Sequence, residues 1–194
     1  MELEIKYFPV CEADFLKAAD VLKAGKISEK HMSAEYFDTD DFDLSKEKMT
    51  LRRRIEGDRT VCAVKSPVKS KDGVFLRKET EVESENIADA LKAFASESGE
   101  NAAAAAKISA ENLKVKVKME FLRKYAEVRE GDTLLELSFD EGYMEKDGKR
   151  GVISEMEIEL KSGSVEDFEK AVKRLEELSL PLGKDSKYKR AMAL

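Results

Sequence analysis

Met1-Glu2-Leu3-Glu4-Ile5-Lys6 opens the chain, and its alternation sets the terms for reading the rest. Successive side chains of a strand point to opposite faces. Glu2, Glu4 and Lys6 therefore share one face, and Leu3, Ile5 and Tyr7 the other. The pattern returns near the C-terminus in Glu155-Met156-Glu157-Ile158-Glu159-Leu160, with carboxylates on one face and apolar side chains on the other. Same-face neighbours on a strand lie roughly 7 Å apart. Like charges at that distance repel by about 2 kcal/mol at an effective dielectric near ~20. A row of such carboxylates needs cations opposite it, or the screening available to an exposed acidic edge strand.

Other segments supply those cations. Lys48 to Glu56 reads as a strand with Arg52 and Arg54 on one face and Leu51 and Ile55 on the other. Gly57-Asp58 turns into Arg59 to Lys65, where Val61, Ala63 and Lys65 share a face. Leu76 to Val82 aligns Arg77, Glu79 and Glu81, with Lys78, Thr80 and Val82 opposite. Lys116 to Val128 reads as a strand with Arg123 and Glu127 on its polar face. Thr133 to Asp140 sets Glu136, Ser138 and Asp140 against Leu135, Leu137 and Phe139. A shorter strand is expected at Glu35 to Thr39, and a loop at Pro67 to Gly73.

Helical spacing of apolar residues marks Glu12 to Ala24 and Glu85 to Ala95. A third helix, Val165 to Leu178, follows Ser164, a favourable N-cap, and carries Val165, Phe168, Val172, Leu175 and Leu178. The run Ala102 to Ala106 is expected to open a further short helix toward Leu113, because alanine is the best helix former.

Most connections between strands are short turns, which implies a mainly antiparallel sheet. The expected fold class is α+β. If the charged faces meet, the sheet closes into a barrel with a charged lumen, its apolar faces turned outward under the helices. Closure also removes unpaired sheet edges. Such a lumen suits a polyanion gripped by arginine and lysine, with carboxylates holding Mg²⁺ or Mn²⁺ through oxygen ligands. The alternative is an ordinary antiparallel sheet with a salt-bridged solvent face.

Composition narrows the function classes. The 194 residues are 42% hydrophobic and 39% charged, with a net charge of −6. That supports a core within a single domain, 1–194, with no internal linker. The acidic balance gives no nucleic-acid footprint, and no apolar run reaches membrane-spanning length. Charges begin at Glu2, so no apolar signal region is read there, and a cytoplasmic location is expected. Cys11 and Cys62 lack metal-ligand spacing. His31 is the only histidine, which leaves no basis for a histidine metal site or a Ser-His-Asp triad.

The motifs, taken in order, resemble those of the CYTH superfamily, the triphosphate tunnel metalloenzymes. Glu2-x-Glu4-x-Lys6 is similar to its ExExK signature, Tyr36-Phe37-Asp38-Thr39 to its YFDT strand and Leu51-Arg52-Arg53-Arg54 to its LRxR strand. Lys65 stands where the family has a lysine, although Ala63 replaces a common threonine. Arg77-x-Glu79-x-Glu81 resembles RxExE, and Asp140-x-Gly142 resembles DxG. Ser154 to Gly163 is similar to SELEIELKSG, and Ser186-Lys187-Tyr188-x-Arg190 to SKYxR.

The resemblance implies an antiparallel tunnel of about eight strands that binds triphosphate compounds with a divalent metal. It implies Glu4, Lys6, Arg52 and Arg54 as catalytic residues. It implies Lys6, Arg52, Arg54, Lys65, Arg77, Arg123, Lys187 and Arg190 as phosphate grips, and Glu2, Glu4, Glu157 and Glu159 as ligands for Mg²⁺ or Mn²⁺. Lys6 has a second possible role, as an ion-pair partner of the N-terminal acids. Glu79, Glu81, Glu136 and Asp140 either assist or balance lumen charge. The expected activity is hydrolysis of inorganic triphosphate to pyrophosphate and phosphate. Thiamine triphosphatase, class IV adenylyl cyclase and a non-catalytic polyphosphate or nucleotide sensor are the alternatives. The expected partner is the small-molecule triphosphate, with no nucleic acid or membrane, and a homodimer is left open.

Overall fold

The eight strands follow the alternation read above, most of them with longer ends. They are β1 (Glu2–Tyr7), β2 (Ser28–Asp38), β3 (Thr50–Glu56), β4 (Arg59–Lys71), β5 (Val74–Glu83), β6 (Lys114–Glu130), β7 (Thr133–Lys146) and β8 (Lys149–Ser162). The computed structural model describes residues 2–71, 74–97, 102 and 105–194, and within these the side chains of all but 67–77. Every strand pair is antiparallel, and the order β1-β5-β4-β3-β2-β6-β7-β8 closes on itself as a barrel.

The expected loop at Pro67 to Gly73 is corrected for the residues described, because β4 runs on to Lys71. Its ladder with β5 shifts register between Pro67 and Lys69. Proline has no N–H to give a ladder, so a bulge is where a strand accommodates it. Gly73 lies outside the described residues, as do Ala103 and Ala104 of the expected helix at Ala102 to Ala106. Within that run Ala102 and Ala105 are buried, and Ala106 N–H donates to the Ala102 carbonyl at 3.0 Å.

Outside the barrel the apolar faces are covered as expected. Helices α1 (Glu12–Val21) and α4 (Val165–Leu175) join one core, in which Phe15, Ala18, Phe168, Ala171 and Leu175 meet Ile5, Leu135, Leu137, Phe139, Met156 and Ile158. The Ser164 side chain caps α4 by accepting from Asp167 N–H at 3.1 Å. Helices α2 (Asp43–Lys46) and α3 (Ile87–Ser96) cover β3 and β4, where Leu44, Leu91 and Phe94 meet Leu51, Cys62 and Val64.

One helix does not lie outside. The last helix, α5 (Lys187–Met192), packs Ala191 among Met32, Ala34, Tyr36, Met119, Phe121, Met144 and Ile153. Ala34 and Tyr36 pair with Arg54 and Arg52, so this cluster occupies the inner face of the barrel. The lumen is therefore charged in one part and apolar in another, with α5 seated on the apolar part. Gly142 belongs to the same inner face. A Cβ there would stand 2.1 Å from the Glu120 carbonyl oxygen and 2.5 Å from Phe121 Cα, so only glycine lets β6 and β7 approach this closely.

Candidate functional site

Strand alternation delivers most of the expected residues to a single cavity of about 80 Å³. Its lining includes Glu2, Glu4, Lys6, Arg52, Arg54, Lys65, Arg123, Glu157, Glu159 and Lys187. Arg190 lies apart from that lining, and the Arg77 side chain is outside the described residues. Arg53 takes the opposite face: it pairs with Glu35 at 2.5 Å and donates to the Glu85 carbonyl at 3.0 Å.

One wall is cationic. Arg52 and Arg54 stand on the same face of β3 with side chains only 11% and 16% exposed. Arg52 lies 3.2 Å from Glu79 and 3.5 Å from Glu81, while Arg54 holds Glu56 at 2.8 Å. The Arg52 charge, together with burial, pushes the Arg54 guanidinium pKa down. The Nε atoms of both arginines are buried with no hydrogen-bond partner among the described residues. Buried donors left unpaired cost about 1–3 kcal/mol each, and an anion in the cavity would relieve that cost. Lys65, on the neighbouring strand, is bonded to both Glu2 oxygens at 2.9 Å and lies 3.0 Å from Glu79.

The facing wall is acidic. In the β1–β8 ladder Glu4 stands opposite Glu159, and Lys6 opposite Glu157. Glu136 pairs with Glu159 from the other side, so three carboxylates lie abreast across β1, β8 and β7. Burial, together with nearby Glu2 and Glu4, pushes the Glu159 pKa up despite Lys161. Glu4 Oε1 is buried and accepts no aligned hydrogen bond from the described residues, although the Lys6 ammonium lies 3.0 Å away as its ion-pair partner. Each of these carboxylates has a cation near it, Lys65 at Glu2, Lys6 at Glu4, Lys161 at Glu159 and Arg123 at Glu136, and all the donors are carboxylate oxygens. A hard divalent cation fits such a donor set.

A second acid cluster sits deeper. Asp140, Glu155 and Glu157 each offer an oxygen within 4.8 Å of the others, a spacing that would also suit a metal. Here each acid is paired with two or more protein cations. Lys187 Nζ lies 2.8 Å from Asp140 and 3.0 Å from Glu157, and it also pairs with Glu155. Arg123 grips both Asp140 oxygens at 2.7 Å and reaches Glu157 at 3.2 Å. Lys6 pairs with Glu157 as well. Burial alone would lower the Lys6 and Lys187 pKa values, but the surrounding carboxylates outweigh it and hold both above the ordinary range. Burial would likewise raise Glu157, yet Lys187, Lys6 and Arg123 keep it well below the usual carboxylate range. The sequence expectation names Glu2, Glu4, Glu157 and Glu159 as metal ligands; among the described residues, the group whose oxygens lie within 4.8 Å of one another is Asp140, Glu155 and Glu157.

Glu79 and Glu81 serve as counter-ions to Arg52, and Arg123 Nη1 lies 3.8 Å from Glu136. Several residues at or beside the site were not named as site residues from the sequence. Glu155 shares a face with Glu157 and Glu159. Glu56 extends the alternation of Arg52 and Arg54. Tyr36 and Tyr188 stack at 5.0 Å between ring centroids. Alternation marks the first two, but nothing in the sequence pairs the tyrosines, which lie on β2 and α5. Asp38 explains the YFDT segment structurally: it accepts from the Thr39, Leu44 and Ser45 N–H groups and from Ser45 Oγ, which is 3.0 Å from Tyr188 OH.

The barrel is shared with known proteins. A structure of a Hippeastrum protein, described as an adenylyl cyclase with a dominant triphosphatase activity, matches with a TM-score of 0.63 and 20% identity, covering 100% of this chain and 96% of that one. The PH1819 protein of Pyrococcus horikoshii matches with a TM-score of 0.65 and 20% identity over 100% and 99% of the two chains. A Bacillus halodurans protein named as an adenylate cyclase matches with a TM-score of 0.59 and 22% identity over 98% and 96%. No curated protein matches the chain. The model of the CYTH domain matches residues 1–192, so the chain belongs to the CYTH family.

Proposed function

We propose that this protein is a divalent-metal-dependent triphosphatase, a single domain that hydrolyses inorganic triphosphate to pyrophosphate and phosphate. The observation that carries this reading is the pairing of unmet needs across one cavity. Among the described residues, two buried arginine Nε donors have no acceptor on one wall, and the buried Glu4 Oε1 on the other has the Lys6 ammonium at 3.0 Å without an aligned hydrogen bond. A phosphate chain with its cation satisfies both.

Phosphoryl transfer is mostly positioning and charge neutralisation. Arg52 and Arg54 present planar forks that can each bond two phosphate oxygens. Lys65, Arg123 and Lys187 border the same cavity and extend the grip along the chain. Arg77 belongs to this set by sequence. Arg190 acts from outside the lining. Lys6, held by Glu4 and Glu157, keeps the acid wall in place and completes the cationic floor. Glu2, Glu4 and Glu159 would hold Mg²⁺ or Mn²⁺, with Glu157 at the boundary between the two clusters. Such an ion supplies charge neutralisation of phosphate oxygens and acidification of a bound water.

A second reading, an organic triphosphate, has an observation in its favour. A pocket of about 370 Å³ adjoins the cavity, shares Thr50, Lys65, Ser186 and Tyr188 with it, and adds Met49 and Met192. Phosphate release from tripolyphosphate, measured with Mg²⁺, with Mn²⁺ and with chelator, tests the main reading. Metal-dependent release supports it, and no release under any condition removes it.

A further inference from the structure

Glu155 is fully buried, yet it does not line the cavity. Its two oxygens are divided between residues of one helix: Oε1 accepts from Lys187 Nζ and Oε2 from Arg190 Nη2. The neighbouring acids divide their loyalties differently. Asp140 is bonded through both oxygens to Arg123 of β6, and Glu157 pairs with Lys6 of β1 and with Arg123 as well as with Lys187. Among the described ion pairs, Glu155 alone of the three gives all of its own to α5.

That helix has little to hold itself. It spans six residues, and helices this short are unstable in isolation. Lys187 begins it behind the Ser186 cap, and Arg190 lies one turn further on, so one carboxylate can reach both. Arg190 is fixed in turn by the Phe8 ring, 4.0 Å from its guanidinium carbon, and by the Asp185 carbonyl at 3.2 Å. Of the two cations that Glu155 holds, only Lys187 borders the cavity.

We propose that Glu155 is a positioning residue that clamps the last helix to the inner face of the barrel and so places the Lys187 ammonium at the floor of the phosphate cavity. It acts through Lys187 and does not touch the substrate. The inference rests on the cavity being the triphosphate site, but the clamp can be read without turnover.

The test compares Glu155→Gln, Lys187→Met and the double variant with the unsubstituted chain. Amide hydrogen exchange over residues 187–192 reads the helix, and calorimetric titration and steady-state kinetics with tripolyphosphate read the cavity. Glu155→Gln is expected to speed exchange in α5 at least tenfold while β6 to β8 keep their protection. KM should rise about tenfold with kcat within about threefold, because a misplaced grip weakens binding more than chemistry. The double variant should bind no more weakly than Lys187→Met alone, since the two residues act as a unit. Should Glu155→Gln fail to fold, Arg190→Gln breaks the same clamp with Glu155 in place and should also speed exchange in α5. Unchanged α5 exchange in a folded variant, or losses in Glu155→Gln and Lys187→Met that simply add, would overturn the proposal. If the unsubstituted chain binds no tripolyphosphate, the functional reading and the placement of Lys187 for phosphate fail together, while the exchange data still decide the clamp.

Discussion

Glu4 of β1 stands directly opposite Glu159 of β8, two like charges abreast in an antiparallel ladder. Directly opposed like charges destabilise a sheet, so Glu4→Gln is expected to fold and to melt a few degrees higher, corresponding to about 0.5–1 kcal/mol. The same change removes a carboxylate from the proposed metal cluster, and activity should fall at least ~100-fold, a loss of about 3 kcal/mol in transition-state stabilisation. Thermal melting and metal-dependent phosphate release on one preparation check both halves. A variant that retains most of its activity excludes Glu4 as a ligand.

Arg52→Ala and Arg54→Ala should each raise KM for triphosphate and lower kcat, together costing at least ~2 kcal/mol in kcat/KM, in the range of a lost charged hydrogen bond. Arg53→Ala should change kcat/KM less than about threefold, because Arg53 pairs with Glu35 on the outer face. Equal damage from all three would mean that the functional register is shifted by one residue.

Glu56 gives a pH prediction. Burial would raise its pKa, but Arg54 and Lys30 outweigh that and bring it down to about 2. A carboxylate depressed in the folded state stabilises above its unfolded pKa, and that contribution is lost as pH falls through the folded value. The window runs from 4.5 down to about 2. Glu56→Gln should therefore lose about 1–2 kcal/mol at neutral pH. Its stability should also fall less steeply through that window, as denaturant titrations at several pH values would show.

Gly142→Ala should be among the most destabilising single-methyl additions in the chain. The new carbon meets backbone atoms of Glu120 and Phe121, which cannot swing aside as a flexible side chain would. Overpacking of this kind costs about 1–3 kcal/mol, or roughly 3–10 °C in melting temperature for a domain of this size. A variant that melts with the parent would show that β6 and β7 separate readily at this point.

Much of the barrel was legible because most strands keep period-two alternation over the stretch that carries the charged residues, and period alone assigns a face. Alternation put Arg52 with Arg54 on one face of a strand, and the family resemblance turned that face, with Lys65, toward a lumen before any pairing was known. Arg53 could be placed outside by the same rule. The inner apolar floor was not legible. Met119, Phe121 and Met144 look like ordinary core residues in sequence, and what turns them inward is the seat of α5, a contact between distant segments. The role of Glu155 was hidden for the same reason: its face could be read, but its partners lie some thirty residues away. Pro67 gave the wrong boundary because a bulge carries the ladder past it.

The most direct measurement of the central claim is steady-state kinetics with tripolyphosphate, ATP and thiamine triphosphate, each under Mg²⁺ and then Mn²⁺. The cationic wall of Arg52, Arg54 and Lys65 can engage a bare phosphate chain without an organic group to accommodate. The expected result is the highest kcat/KM for tripolyphosphate, with pyrophosphate and phosphate as products and no turnover under chelator. A higher kcat/KM for ATP or thiamine triphosphate would contradict it and assign the adjoining pocket of Met49, Tyr188 and Met192 to an organic substituent.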